Sequence, residues 1–310
     1  MSDTTTIIET HGLCKRFGER PAVIDLDLSV PRGCAFGFLG HNGAGKTTLI
    51  RMLLGLTSAD SGVMRIRDRA VPAYRAEVLA RVGAIVEEPH FHPHLTGREN
   101  LQIVAAVRGP EAHARIDGAL RRVGLSDRGG DRVRGYSQGM RQRLGVARCL
   151  LADPELLILD EPMNGLDPGG MLDVRRMIRA LVEDEGRTVF VSSHLLDEVE
   201  KTCDLAAIID GGRVIAQGSI KELVADEAGE LVVECDDAER ALAVLAGDPA
   251  VRDLRTEHGA LRMRLLDHGY AGEINSRLLA AGLVVTRLEP ARRTLEDRFL
   301  EMTTRLEVAA

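Results

Sequence analysis

The chain has 310 residues, 45% hydrophobic and 28% charged, with a formal net charge of −7. These values exclude a collagen-like, disulfide-scaffold or wholly disordered chain, and no stretch approaches the roughly 18 charge-free apolar residues of a membrane span. Length allows one large or two modest domains. Aromatic residues make up only 3%, without tryptophan, so an aliphatic core is expected. Met1-Ser2-Asp3-Thr4 lacks the basic and apolar regions of a signal peptide, which predicts a cytoplasmic location. The five cysteines, at 14, 34, 149, 203 and 235, show no CxxC spacing and read as reduced, mostly buried thiols. Charge is uneven: residues 1–225 hold 29 Lys/Arg against 30 Asp/Glu, whereas 226–310 hold 11 against 17. Neither part has the basic excess of a nucleic-acid binder, so no nucleic-acid partner is expected.

Along the chain, 7–13, 23–30 and 34–39 read as short strands separated by Gly/Pro turns. After Gly40–Lys46 the pattern predicts a helix over 47–56, closed by a polar Gly-containing turn. Val82–Val86 reads as a strand, and residues 96–152 as helix-rich. The continuous apolar runs Leu156–Leu159 and Thr188–Val191 fit strands buried on both faces of a parallel sheet. Residues 205–209 and 214–216 flank Asp210-Gly211-Gly212-Arg213 as a hairpin. The first part is therefore α/β with a helical insertion at about 90–152. Composition shifts near Asp226. The remainder reads β-α-β-β-α-β, the ferredoxin-like order: strands over 231–235, 251–256, 260–266 and 283–288, helices over 237–246 and 271–281. A last helix begins at Thr294, where Thr-Leu-Glu-Asp fits a capping box. The expected division is 1–225 and 226–310.

Two stretches carry chemistry. Gly40-His41-Asn42-Gly43-Ala44-Gly45-Lys46-Thr47 matches G-x-x-x-x-G-K-[ST] between a predicted strand and helix. Glycines let backbone N–H groups curl around phosphates, and the helix N-terminus adds a favourable dipole. Lys46 supplies positive charge to the phosphates, and the Thr47 hydroxyl can ligate Mg²⁺. Leu156–Leu159 then ends in Asp160-Glu161-Pro162. Asp160 fits a Mg²⁺-associated carboxylate and Glu161 the base acting on an attacking water.

With Tyr136-Ser137-Gln138-Gly139-Met140 and Ser192-Ser193-His194 added, residues 7–220 resemble the ATP-binding subunit of an ATP-binding cassette (ABC) transporter, with the motifs in the family's order. Ser137 and Gly139 match the family's Leu-Ser-Gly-Gly-Gln signature; Tyr136, Gln138 and Met140 depart from it. The resemblance implies a P-loop NTPase fold of ABC type and ATP as substrate. It implies contacts to ATP from Phe17, the 40–48 loop including Thr48, and, across a head-to-tail dimer, Ser137 and Gly139. His194 is implied at the γ-phosphate beside the catalytic Glu161 and Lys46, and Asp167 in the loop that couples the two sites. Where the family usually has a Mg²⁺-contacting Gln, this chain has Glu87, whose carboxylate can still ligate Mg²⁺ and is a candidate metal ligand beside Thr47 and Asp160. Glu87, the Tyr-Ser-x-Gly-Met-Arg-Gln-Arg form and Thr294–Leu300 resemble the bacitracin- and daunorubicin-exporter branch.

The implied function is ATP hydrolysis that powers export, of a drug, antibiotic or other amphipathic compound, through a separate polytopic membrane permease. The protein would sit peripherally on the inner face of the membrane as a homo- or heterodimer. An importer ATPase and a soluble non-transport ABC ATPase are the alternatives. His90, His92 and His94, interrupted by prolines, read as a solvated loop rather than a metal site. Arg141, Arg143 and Arg148 read as salt-bridge residues. The C-terminal part has no chemical motif and reads as a dimerisation or regulatory part, so ending the chain near residue 225 is expected to leave nucleotide binding intact but to weaken coupling or assembly.

Overall fold

The computed structural model describes residues 6–224, 230–257, 259–266, 268–290 and 294–309. The expected boundary at 225/226 lies outside the described residues. The chain divides into two compact units, one of residues 1–223 with 299–310 and one of 224–298.

In the first unit, β1 (Thr6–Phe17) pairs antiparallel with β2 (Arg20–Pro31), and β3 (Ala35–Leu39) leads through the glycine-rich loop into α1 (Lys46–Leu53). Strands β4 (Ser61–Ile66) and β5 (Arg69–Val71), helix α2 (Arg75–Leu79) and strand β6 (Val82–Ile85) follow. Then come the helices α3 (Gly97–Arg108), α4 (Pro110–Ala114), α5 (Ile116–Arg122) and α6 (Gln138–Leu150). Next are β7 (Leu156–Asp160), α7 (Pro168–Glu183), β8 (Thr188–Ser193), α8 (Leu196–Thr202), β9 (Leu205–Asp210), β10 (Arg213–Ser219) and α9 (Ile220–Val224). One sheet has the order β2-β1-β4-β5 and the other β10-β9-β3-β8-β7-β6.

The apolar runs predict the central strands well: every residue of β3, β7 and β8 is buried, the polar Asp160, Thr188, Ser192 and Ser193 included. Strands β3, β9, β8, β7 and β6 run parallel, and β10 closes the edge as the antiparallel half of the predicted hairpin. Leu39 pairs with Ser193 and Asp160 with Ser192, so the ends of β3, β7 and β8 meet at one level of the carboxyl edge. Ligands bind at this edge of a parallel sheet. Below it, Phe190 stacks on Phe36 with ring centroids 5.9 Å apart and lies 5.6 Å from Phe38.

Some local boundaries differ from the sequence expectation. Helix α1 ends at Leu53 because Leu54 leaves the helical conformation and Gly55 turns at φ 62°. Strand β1 runs to twelve residues because it pairs on both sides, with β2 and β4. Strand β4 is missed in the sequence because only Met64 and Ile66 of its six residues are buried. Helix α3 starts with a capping box, Thr96 Oγ1 accepting from Glu99 N–H and Glu99 Oε2 from Thr96 N–H.

In the second unit the order is β11 (Glu230–Cys235), α10 (Ala238–Leu245), β12 (Val251–Glu257), β13 (Ala260–Leu265), α11 (Ala271–Ala280) and β14 (Val285–Pro290). The antiparallel sheet has the order β12-β13-β11-β14, and Leu231, Val233, Leu261, Met263, Ile274 and Leu278 share its core. Helix α12 (Leu295–Ala309) begins at Thr294, whose Oγ1 accepts from Asp297 N–H.

Five free cysteines are present, and burial pushes the Cys34 thiol to about 12 and Cys149 to about 11. Such thiols stay protonated and inert. At the far end of the strands, burial pushes the Glu155 and Asp153 carboxyls up. Arg67, Arg32 and Arg81 around Glu155, and Arg187 and Arg81 around Asp153, more than offset this. Both carboxyls therefore lie below the ordinary carboxylate range. Their stabilisation is complete above the unfolded values and is lost as pH falls through the lower folded ones.

Two stability measurements follow from these contacts. Phe190→Ala is expected to cost about 3–5 kcal/mol in chemical denaturation, as for other buried aromatics; a cost under about 1 kcal/mol would contradict the packing. In thermal melts between roughly pH 5 and pH 3, Glu155→Gln should lose less stability than the wild type, because it has one fewer carboxylate to protonate.

Candidate active site

Strand β3 delivers the chain to Gly40–Gly45 under tight constraint. A Cβ on Gly40 would lie 2.4 Å from the Ile209 carbonyl oxygen, and one on Gly45 2.4 Å from that of Ala22. Gly45 also sits at φ 111° and caps α1 without a side chain. The first-turn N–H groups of α1 are thus left to an anion, as the fit to a phosphate requires. Lys46 is 6% exposed, and its Nζ donates to the carbonyls of Gly40 (2.6 Å) and His41 (3.2 Å). The same Nζ lies 3.2 Å from Glu161 Oε1, so the buried ammonium finds its counter-charge there.

Asp160 ends β7 and is 3% exposed. Ser192 Oγ donates to Asp160 Oδ1 at 2.5 Å and accepts from Glu161 N–H at 3.0 Å. Glu161 has φ 48°, a left-handed conformation disfavoured for a residue with a Cβ. Besides Ser192 Oγ, the Ser192 carbonyl accepts from the same N–H at 3.2 Å and helps hold it. Glu161 Oε2 lies 2.8 Å from His194 Nδ1. Lys46, Asp160, Glu161 and His194, four residues singled out in the sequence, are therefore joined directly or through Ser192. In the sequence Ser192 reads only as part of Ser-Ser-His; the signal that marks it is a small hydroxyl residue ending a buried strand beside the strand that carries the acids.

Two cavities share Thr47 and Glu161. One, of about 390 Å³, is lined by Phe17, Asn42, Gly43, Gly45, Lys46 and Thr48, with Arg20 as a further lining residue not foreseen. Phe17 is 53% exposed and carries the Lys15 ammonium 5.4 Å above its ring. The other, of about 430 Å³, brings Asp160 and Glu87 together with Gln138, Arg141 and Asn164. Glu87 lines it, but its carboxylate is paired with Arg51. Among the described residues no cluster of three His, Cys, Asp or Glu side chains stands ready for a metal.

Ser137, Gly139 and Asp167 line neither cavity. Ser137 caps α6 by accepting from Met140 N–H, and Asp167 caps α7 by accepting from Gly170 N–H. A Cβ on Gly139 would lie 3.8 Å from Gly170 Cα, an ordinary van der Waals contact. Gln138, a departure from the family signature, donates to the Asn164 carbonyl at 3.2 Å. The His92 and His94 rings meet edge to face, 5.9 Å apart. Arg141 bonds the Tyr136 carbonyl, Arg143 pairs with Asp173 at 3.7 Å, and Arg148 stacks on Phe91.

A neighbour of the loop comes from the far end of the chain. The Phe299 ring, 1% exposed, meets the His41 ring edge-on at 4.6 Å. Ending the chain near 225, which is expected to leave nucleotide binding intact, would also remove this contact. Phe299→Ala should cost about 3–4 kcal/mol of stability in the unit that contains the loop. The His41 ring resonances should shift in NMR spectra of this variant, and unshifted resonances would rule the contact out.

Comparison with known proteins agrees with this geometry. The ABC transporter family model matches residues 23–164. The chain is 38% identical over 299 residues to the bacitracin transport ATP-binding protein BcrA of Bacillus licheniformis, covering 96% of this chain and 97% of that one. It is 36% identical over 312 residues to the daunorubicin resistance ATP-binding protein DrrA3 of Streptomyces coeruleorubidus, covering 98% and 97%. Among solved structures, an ATP-binding subunit of an ABC transporter superposes with a TM-score of 0.62 at 28% identity, covering 70% of this chain and 91% of that one. CbiO1 of Clostridium perfringens gives 0.67 at 25%, covering 79% and 96%. With its phosphate loop, paired acids and histidine assembled on such a sheet, the chain belongs to the ABC transporter family as an ATP-binding subunit, an ATPase.

Proposed function

We propose that this subunit hydrolyses Mg²⁺-ATP to power export of a drug, antibiotic or other amphipathic compound through a separate polytopic membrane permease. The observation that carries the catalytic part is the hydrogen-bonded line His194–Glu161–Lys46 beside the phosphate loop. The substrate class rests on the likeness to BcrA and DrrA3, named for bacitracin transport and daunorubicin resistance. No described helix is long and apolar enough to cross a membrane, in keeping with a separate permease and a peripheral place on the inner membrane face.

In this reading the phosphates of ATP take over Lys46 and leave Glu161 to its histidine. Glu161 accepts the proton of the attacking water, while His194 orients the carboxylate and reaches the γ-phosphate. Mg²⁺, held by Thr47 and Asp160, would neutralise charge on the β- and γ-phosphates. Phe17 offers a face for adenine. Ser137, Gly139 and Asp167 line neither of the two cavities described above; in this reading they serve the opposite ATP of a head-to-tail pair, homo- or heterodimeric. Residues 1–225 would form the ATPase domain with its helical subdomain at about 90–152. Residues 226–310 would form a ferredoxin-like accessory domain, except that the end of α12 serves the first.

Glu161→Gln is the direct test. ATP binding should persist while steady-state turnover falls at least about 100-fold, the scale of a lost general base. Unchanged turnover would overturn the assignment. Ser192→Ala should lower kcat about tenfold, with KM for ATP changed less than about threefold, since it misorients both acids without touching the nucleotide.

A further inference from the structure

The cavity between the phosphate loop and α6 is rich in negative charge. Asp160, Glu161, Glu87 and Glu88 all line it, with Thr47 and with Arg141 as its cation. A polyphosphate brought to this cavity meets repulsion from every carboxylate that lacks a local counter-charge. Lys46 is the counter-charge of Glu161, whereas Asp160 is held by a neutral donor, the Ser192 hydroxyl. Glu87 adds a further carboxylate to the lining of this cavity.

The structure gives Glu87 its own partner. Arg51 Nη2 meets Glu87 Oε1 at hydrogen-bond distance. Arg51 lies on α1 four residues after Thr47, so both project from one face of the helix that follows the phosphate loop. Glu87 itself sits just past β6 at φ 62°, a backbone setting that a residue with a Cβ rarely adopts. A glutamate in this strained turn is thus tied directly to the helix that binds phosphate.

We propose that Arg51 is a positioning residue for nucleotide binding: it fixes Glu87 on α1 and neutralises it, so that this cavity accepts a polyphosphate despite its extra carboxylate. The proposal rests on the nucleotide reading of the site, but neither the phosphate loop nor the acid pair requires it. Without Arg51 the Glu87 carboxylate would be free to swing toward the phosphates and repel them. With a neutral residue at 87, Arg51 would have nothing to hold.

Equilibrium binding of a fluorescent ATP analogue tests this without turnover, with and without Mg²⁺, on four full-length proteins: wild type, Arg51→Ala, Glu87→Gln and the double variant. At low salt, Arg51→Ala should weaken binding about 3–10-fold in the wild-type background, the range of a screened charge interaction. In the Glu87→Gln background the same change should cost less than about twofold. Raising salt to roughly 1 M should shrink the first effect, because the charges are exposed. An equal loss in both backgrounds would show that Arg51 acts independently of Glu87 and overturn the proposal, as would no loss in either. The double variant also controls for folding, since a collapsed α1 would not bind. Failure of the wild type to bind would instead overturn the nucleotide reading, and the proposal with it.

Discussion

A buried ammonium needs an anion, and much of this site follows from that need. Lys46 is 6% exposed and satisfied by two loop carbonyls and the Glu161 carboxylate. In a low-dielectric setting such a cation is costly unless it is paired. In the proposed reading Glu161 and a phosphate are the two anions that can satisfy Lys46, so the proposed base and the proposed phosphate-binding lysine are coupled through that one ammonium.

The fold makes this coupling possible by register. Strands β3, β7 and β8 are adjacent and parallel, and all are completely buried. Pairing of Leu39 with Ser193, and of Asp160 with Ser192, leaves the loop, the acids and the histidine no freedom to drift apart along the strands. The Phe36–Phe190–Phe38 packing below fixes the spacing of β3 and β8. Ser192 completes the arrangement by bridging the side chain of one acid and the backbone of the next.

Local features of the sequence carried most of this. The apolar runs of β7 and β8, the glycine-rich loop and the Asp160-Glu161 pair are each contiguous, so periodicity and spacing reveal them. Strand β4 was not visible, because only Met64 and Ile66 face the core and the rest of it reads as polar loop. Contacts between distant segments were not visible either. Nothing in Thr294–Leu300 says that Phe299 meets His41, and nothing around Arg51 says that it meets Glu87. Glu161's left-handed backbone is a further case, since a strained conformation held by tertiary bonds leaves no mark on local propensity.

The exchange of Lys46 between carboxylate and phosphate is the central claim, and nucleotide affinity of Lys46→Ala against the wild type measures it most directly. The account predicts that ATP binding weakens at least about 30-fold, on the scale of a buried charge-assisted hydrogen bond to phosphate. Unchanged ATP affinity in a folded Lys46→Ala protein would contradict it.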